Sequence, residues 1–202
     1  MLEKIILNLI KEQTKKLLYE SYSTNVIIVD IQPAYDKWCK HLMPQLCDFL
    51  NKQRGNTLIF FNGEDLDLDN KNSVINYYYD YGLSEEKIET IEWKEKIYGY
   101  FRDLMDSDIE PKIIIKIIRE MFLQKVNDSR DLPEDFLNLL YNTYSVDLEN
   151  YPTFLPDFSF KLLKEYNNCY IGGGGKHECF REITLLMNAL NIKYKEMKKF
   201  IY

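Results

Sequence analysis

Between Asn168 and Ala189 the chain reads Asn-Cys-Tyr-Ile-Gly-Gly-Gly-Gly-Lys-His-Glu-Cys-Phe-Arg-Glu-Ile-Thr-Leu-Leu-Met-Asn-Ala. An apolar stretch, a run of glycines and an amphipathic segment follow one another without a linker, which predicts a strand, a tight turn and a helix. Glycine permits φ > 0 and lets other groups approach the backbone closely. Ile183, Leu186, Met187 and Leu190 keep helical spacing, so Glu178, Cys179 and Glu182 fall in the first helical turns. A thiol placed there sees the positive end of the helix dipole and is expected to ionise more readily than a free cysteine.

The rest of the chain supplies a setting for that corner. Val26-Ile27-Ile28-Val29 is an unbroken β-branched run, the pattern of a strand buried on both faces of a parallel sheet. It ends in Asp30-Ile31-Gln32-Pro33-Ala34-Tyr35. Trp38, Leu42, Leu46, Phe49 and Leu50 then recur at helical spacing, and Thr57 to Phe61 is a second buried strand, so strand, helix and strand form a βαβ unit. In such sheets active groups gather beyond the carboxyl ends of the strands. Asp30, the acidic loop Glu64-Asp65-Leu66-Asp67-Leu68-Asp69 and the glycine turn all fall on that edge if the strands are parallel. Leu2 to Tyr22 predicts an amphipathic N-terminal helix. The span 84–144 reads as a helical insertion, with Ile113-Ile114-Ile115 and Ile117-Ile118 open to either helix or strand, and Tyr194 to Tyr202 reads as a final strand. The expectation is a single α/β domain over 1–202, Rossmann-like and three-layered, on a mostly parallel sheet of about five to six strands.

Composition narrows the function classes. With 202 residues, 46% of them hydrophobic, the chain can bury one sizeable core. A net charge of -6 argues against broad electrostatic binding of nucleic acid, and Lys193, Lys195, Lys198 and Lys199 read as a solvated edge. Cys39, Cys47, Cys169 and Cys179 show neither a C-x-x-C pair nor zinc-finger spacing and read as free thiols in a reducing compartment. No run approaches membrane-spanning length, so a cytoplasmic protein without membrane association is expected. Asn, Lys, Ile and Tyr are abundant, which fits an AT-rich coding genome, bacterial or viral.

Two short motifs resemble those of the isochorismatase-like cysteine hydrolases, the group that includes nicotinamidases. Val29-Asp30-Ile31-Gln32-Pro33-Ala34-Tyr35 is similar to the D-x-Q-x-x-[FY] motif that ends the family's first strand. Gly173-Gly174-Gly175-Lys176-His177-Glu178-Cys179 resembles its strand-to-helix turn, with His177 in a slot where family members often carry a Thr-His or Thr-Asp pair. The resemblance implies Asp30 as general base toward a Cys179 nucleophile, a lysine that holds the pair electrostatically, and backbone N–H groups of the glycine turn as oxyanion donors. It also implies a small amide or related substrate, bound by Gln32, Tyr35, Gly174, Gly175, Lys176 and His177, with no cofactor. The family's lysine precedes the cysteine where this chain reads Ser145-Val146-Asp147-Leu148-Glu149-Asn150, so the cation falls to Lys96, in Glu95-Lys96-Ile97-Tyr98, or to Lys176. The likeness covers the two ends of the chain, and self-association into a homo-oligomer stays open.

A different class of function uses the carboxylates. Asp30, Glu64, Asp65 and Glu178, with Asp128, Asp131 or Glu182, could converge and hold Mg²⁺ or Mn²⁺ through oxygen ligands. That arrangement resembles metal-dependent nucleases of the PIN and NYN type, and only there would nucleic acid be a partner. A third alternative is a non-catalytic interaction protein on the same fold. The same residues also have structural readings: Asp30 as a helix cap, Cys179 as a small core residue, Asp128 and Asp131 as caps. The run Gly172 to Gly175 lacks the phosphate-loop pattern, because Tyr170 stands at its first glycine and His177 at its Ser/Thr.

Overall fold

The computed structural model describes residues 24–63, 70–96, 101–155 and 161–202. The helix expected over Leu2 to Tyr22 and the acidic residues Glu64 to Asp69 lie outside them. Five strands, β1 (Val26–Val29), β2 (Thr57–Phe61), β3 (Ile91–Glu95), β4 (Cys169–Gly173) and β5 (Tyr194–Glu196), form one sheet in the order β3-β2-β1-β4-β5. Every pairing is parallel. Helices α1 (Asp36–Cys39), α2 (Met43–Lys52), α3 (Lys71–Asp80), α4 (Glu85–Thr90), α5 (Arg102–Asp106), α6 (Pro111–Gln124), α7 (Glu134–Tyr144), α8 (Lys161–Glu165) and α9 (Cys179–Ala189) connect and cover it. Among the described residues no helix is long and apolar enough to cross a membrane.

The central strand explains the layering. All four residues of β1 are fully buried, and the period of two sends alternate side chains to opposite faces. Ile27 and Val29 join Leu58, Phe60, Leu104, Ile114, Ile118, Ile183 and Leu186 on one face, under α5, α6, α7 and α9. Val26 and Ile28 join Ile59, Phe61, Met43, Leu46, Leu50, Val74 and Tyr78 on the other, under α2 and α3. Helices on both faces of a parallel sheet make the three-layer α/β sandwich the sequence predicts.

Two elements differ from expectation, and one open alternative is settled. The span 84–144 is not helical throughout, because Ile91-Glu92-Trp93-Lys94-Glu95 pairs with β2 as the third strand. It is an edge strand whose buried residues are Ile91 and Trp93, so a single buried face gives alternation instead of an apolar run. The isoleucine run is helix α6, with Ile113, Ile114, Ile117, Ile118 and Met121 on its buried side. The last strand is only Tyr194–Glu196, and the chain then turns through a 3-10 segment at Lys198–Phe200.

Candidate functional site

The order of the strands places the site before any side chain is considered. From β1 the chain moves outward to β2 and β3, then returns to the other side of β1 for β4 and β5. The connections leaving β1 and β4 therefore diverge, and open parallel sheets hold ligands in the crevice at such a switch point. Asp30 leaves β1 there, and the glycine corner leaves β4.

Glycine brings the two strand ends together. Val29 pairs with Gly173, whose φ is +87°; a Cβ built on Gly173 would stand 2.2 Å from the Val29 carbonyl oxygen. No side chain fits that gap. Gly174, at φ +70°, would put a Cβ 3.4 Å from the Cys179 Cβ, so the turn also lets the start of α9 close on the sheet. Asp30 itself has φ +45°, a left-handed conformation that Asp tolerates better than most residues and that recurs at functional sites. Its amide donates to the Phe60 carbonyl at 3.0 Å, and its carbonyl accepts the Tyr202 hydroxyl at 2.7 Å.

At this corner the Asp30 carboxylate lies beside the Cys179 thiol and acts on it by charge and hydrogen bonding. Asp30 is fully buried, whereas Cys179 is half-buried and lines a cavity of about 390 Å³ together with Tyr35, Trp38, Gly175, Lys176, His177, Glu178 and Tyr202. That size suits a small molecule. Trp38 packs on Tyr35 with ring centroids 6.1 Å apart and is 48% exposed, so aromatic surface faces the opening. Cys179 is the first residue of α9; its amide N–H therefore has no acceptor within the helix and is available beside the sulfur.

The expectation of an easily ionised thiol is corrected. Burial pushes the Cys179 thiol well above its ordinary value, the adjacent Asp30 charge and hydrogen bond push the same way, and Glu182 adds to them; Arg102 opposes. The helix terminus was visible in the sequence, but the desolvation and the facing carboxylate were not. Cys179 therefore rests as a thiol beside a base.

Other residues singled out from the sequence take distinct places. Lys96 follows β3, and its amide extends the ladder to the Phe61 carbonyl at 2.8 Å; its charge acts on Glu182. Lys176 and His177 line the cavity, and the Lys176 amide donates to the Tyr202 carbonyl at 2.7 Å. Gln32 is fully buried and ties two loops together: its Nε2 donates to the Asn62 carbonyl at 3.0 Å and its Oε1 accepts the Asn62 amide at 2.7 Å. Asn62 Nδ2 in turn donates to the Tyr35 hydroxyl at 3.0 Å, so Gln32 supports a cavity wall that Tyr35 forms. Of the carboxylates proposed for a metal, Glu178 sits 3.5 Å from Arg102, and Asp128 caps a 3-10 turn by accepting the Arg130 amide and pairs with its guanidinium at 2.6 Å. Glu64 and Asp65 lie outside the described residues. Among the described residues no three His, Cys, Asp or Glu side chains gather as a metal site.

Arg102 and Tyr202 belong to the site and carry no motif that could have revealed them. Arg102 Nη2 lies 3.8 Å from the Cys179 sulfur and 3.5 Å from Glu182. Comparison with protein-family models, curated proteins and solved structures finds no match to this chain.

Proposed function

We propose that the protein is a cysteine hydrolase of the isochorismatase-like type, acting on a small amide or a related acyl substrate. The observation that carries this reading is a buried Asp30 carboxylate acting on the thiol of Cys179, whose side chain lines a cavity of small-molecule size. A carboxylate that touches a thiol can take its proton as the sulfur attacks, so the thiolate need not exist at rest. That agrees with a sulfur whose ionisation is held back.

In the first half-reaction Asp30 takes the Cys179 proton and Sγ bonds to the amide carbon. The resulting oxyanion is met by the Cys179 amide N–H at the start of α9, where donors and helix dipole both favour negative charge. Asp30 returns the proton to the departing nitrogen, the C–N bond breaks, and a thioester remains on Cys179. In the second half-reaction water attacks the thioester carbon while Asp30 takes its proton; the C–S bond breaks, the acid leaves, and the thiolate recovers its proton from Asp30. Lys96, near Glu182, supplies positive charge that limits the cost of gathering anions at one sheet edge.

The test is release of ammonia from a panel of small aliphatic and aromatic primary amides, with the acyl-enzyme sought by intact-protein mass after acid quench. Turnover with an adduct mapping to Cys179 is expected. Asp30→Asn is expected to lower turnover by about 10² to 10⁴, the usual contribution of a general acid–base group. Turnover that survives Cys179→Ala, or cleavage of single-stranded nucleic acid that needs Mn²⁺ and survives that substitution, would contradict the proposal.

A further inference from the structure

A buried carboxylate and a guanidinium beside the nucleophile have no part in the steps above. Glu182 lies one turn after Cys179 on α9, on the same helical face, and is fully buried. Beyond the 3.5 Å contact with Arg102 Nη2, its oxygens have no hydrogen-bond donor among the described residues. Arg102, at the start of α5, also approaches Glu178 through Nη1 at 3.5 Å and reaches the Cys179 sulfur with Nη2 at 3.8 Å. One planar fork thus faces two carboxylates and the sulfur.

Buried ion pairs are poor devices for stability, since desolvation offsets most of their attraction and an apolar pair of similar volume is often as good or better. The position of this one suggests its use. We propose that Arg102 is a second cationic catalytic residue, stabilising the sulfur as it gives up its proton, and that Glu182 is the positioning residue that holds the guanidinium there. The inference rests on the hydrolase reading. Opposite charge within contact favours the ionised form of a thiol, and Arg102 acts on Cys179 in that direction. An unpaired guanidinium would favour a standing thiolate; paired with Glu182 and Glu178, it leaves the thiol protonated at rest and is in place when charge develops. The groups that face the sulfur are Asp30, Glu182, Arg102 and Tyr202, with Glu178, Lys176 and His177 at the cavity mouth.

Removing Arg102 alone would strand the buried Glu182, so the test is made in Glu182→Gln. The rate of iodoacetamide modification of Cys179, read by peptide mass across pH, needs no substrate. Glu182→Gln is expected to react faster than the wild type, since one repelling anion is gone. Arg102→Met in that background is expected to slow Cys179 about tenfold at neutral pH relative to Glu182→Gln alone, and Arg102→Lys to restore most of the rate. Equal rates for Glu182→Gln with and without Arg102→Met would overturn the role of Arg102 even if amide hydrolysis is found. Absence of ammonia release with the rate difference intact would instead remove the hydrolase reading and, with it, the catalytic role.

Discussion

Two cysteines on neighbouring connections invite comparison. Cys39 closes α1 after β1, and Cys179 opens α9 after β4. Each has an aspartate nearby: Cys39 reaches Tyr77 Oη at 3.7 Å, whose hydroxyl donates to Asp36 at 2.8 Å, and the Asp30 carboxylate acts on the Cys179 thiol itself. Burial pushes both thiols up. The difference lies in what else can reach the sulfur. Cys39 is sealed against Tyr77 and the Gln32 carbonyl at 3.8 Å, so it packs and cannot receive a ligand. Cys179 opens onto a cavity and is flanked by an acid and a guanidinium. Proximity of an acid does not make a cysteine a nucleophile; an acid that acts on the sulfur itself, a nearby cation and an open approach do.

The comparison can be broken or sharpened by substitution. The largest effect is expected for Cys179→Ala, which should reduce amide hydrolysis at least about a thousandfold while leaving thermal unfolding nearly unchanged, as followed by ammonia release and circular dichroism. Gly173→Ala follows. Its φ of +87° and a Cβ placed 2.2 Å from the Val29 oxygen should cost roughly 3 kcal/mol or more of stability in denaturant unfolding and pull Asp30 and Cys179 apart. The smallest is Cys39→Ala, expected to cost about 1 kcal/mol of stability with turnover retained. Activity that follows Cys39 instead of Cys179 would invert the account.

The sequence made the sheet legible where burial is two-sided. Val26–Val29, Thr57–Phe61 and Cys169–Gly173 are apolar throughout or lead into glycine, and each is a strand. Ile91–Glu95 carries no such mark, because an edge strand buries only alternate residues and its glutamates and lysine resemble a helical surface. Asp30, Cys179 and the glycine turn were legible as ends of elements whose parallel packing brings them to one edge. The thiol's protonation was not, because a helix terminus is a local feature whereas desolvation and the facing carboxylate come from strands far apart in sequence. Arg102 and Tyr202 reach the site from separate segments, and no local spacing marks them. Gln32 shows the reverse: it stood out in a motif, and its amide is used by the Asn62 backbone.

Cys47 and Cys169, pushed up to about 12 by burial, serve as internal standards for the decisive measurement. Iodoacetamide modification of each cysteine peptide is followed across pH in the wild type and in Asp30→Asn. The Asp30 carboxylate raises the Cys179 thiol, so its removal should move the midpoint for Cys179 to lower pH while hydrolysis collapses. Cys47 and Cys169 are buried and should stay unmodified in both proteins. An unchanged Cys179 profile, or modification of the buried cysteines alongside it, would mean that this acid and this sulfur do not share a proton.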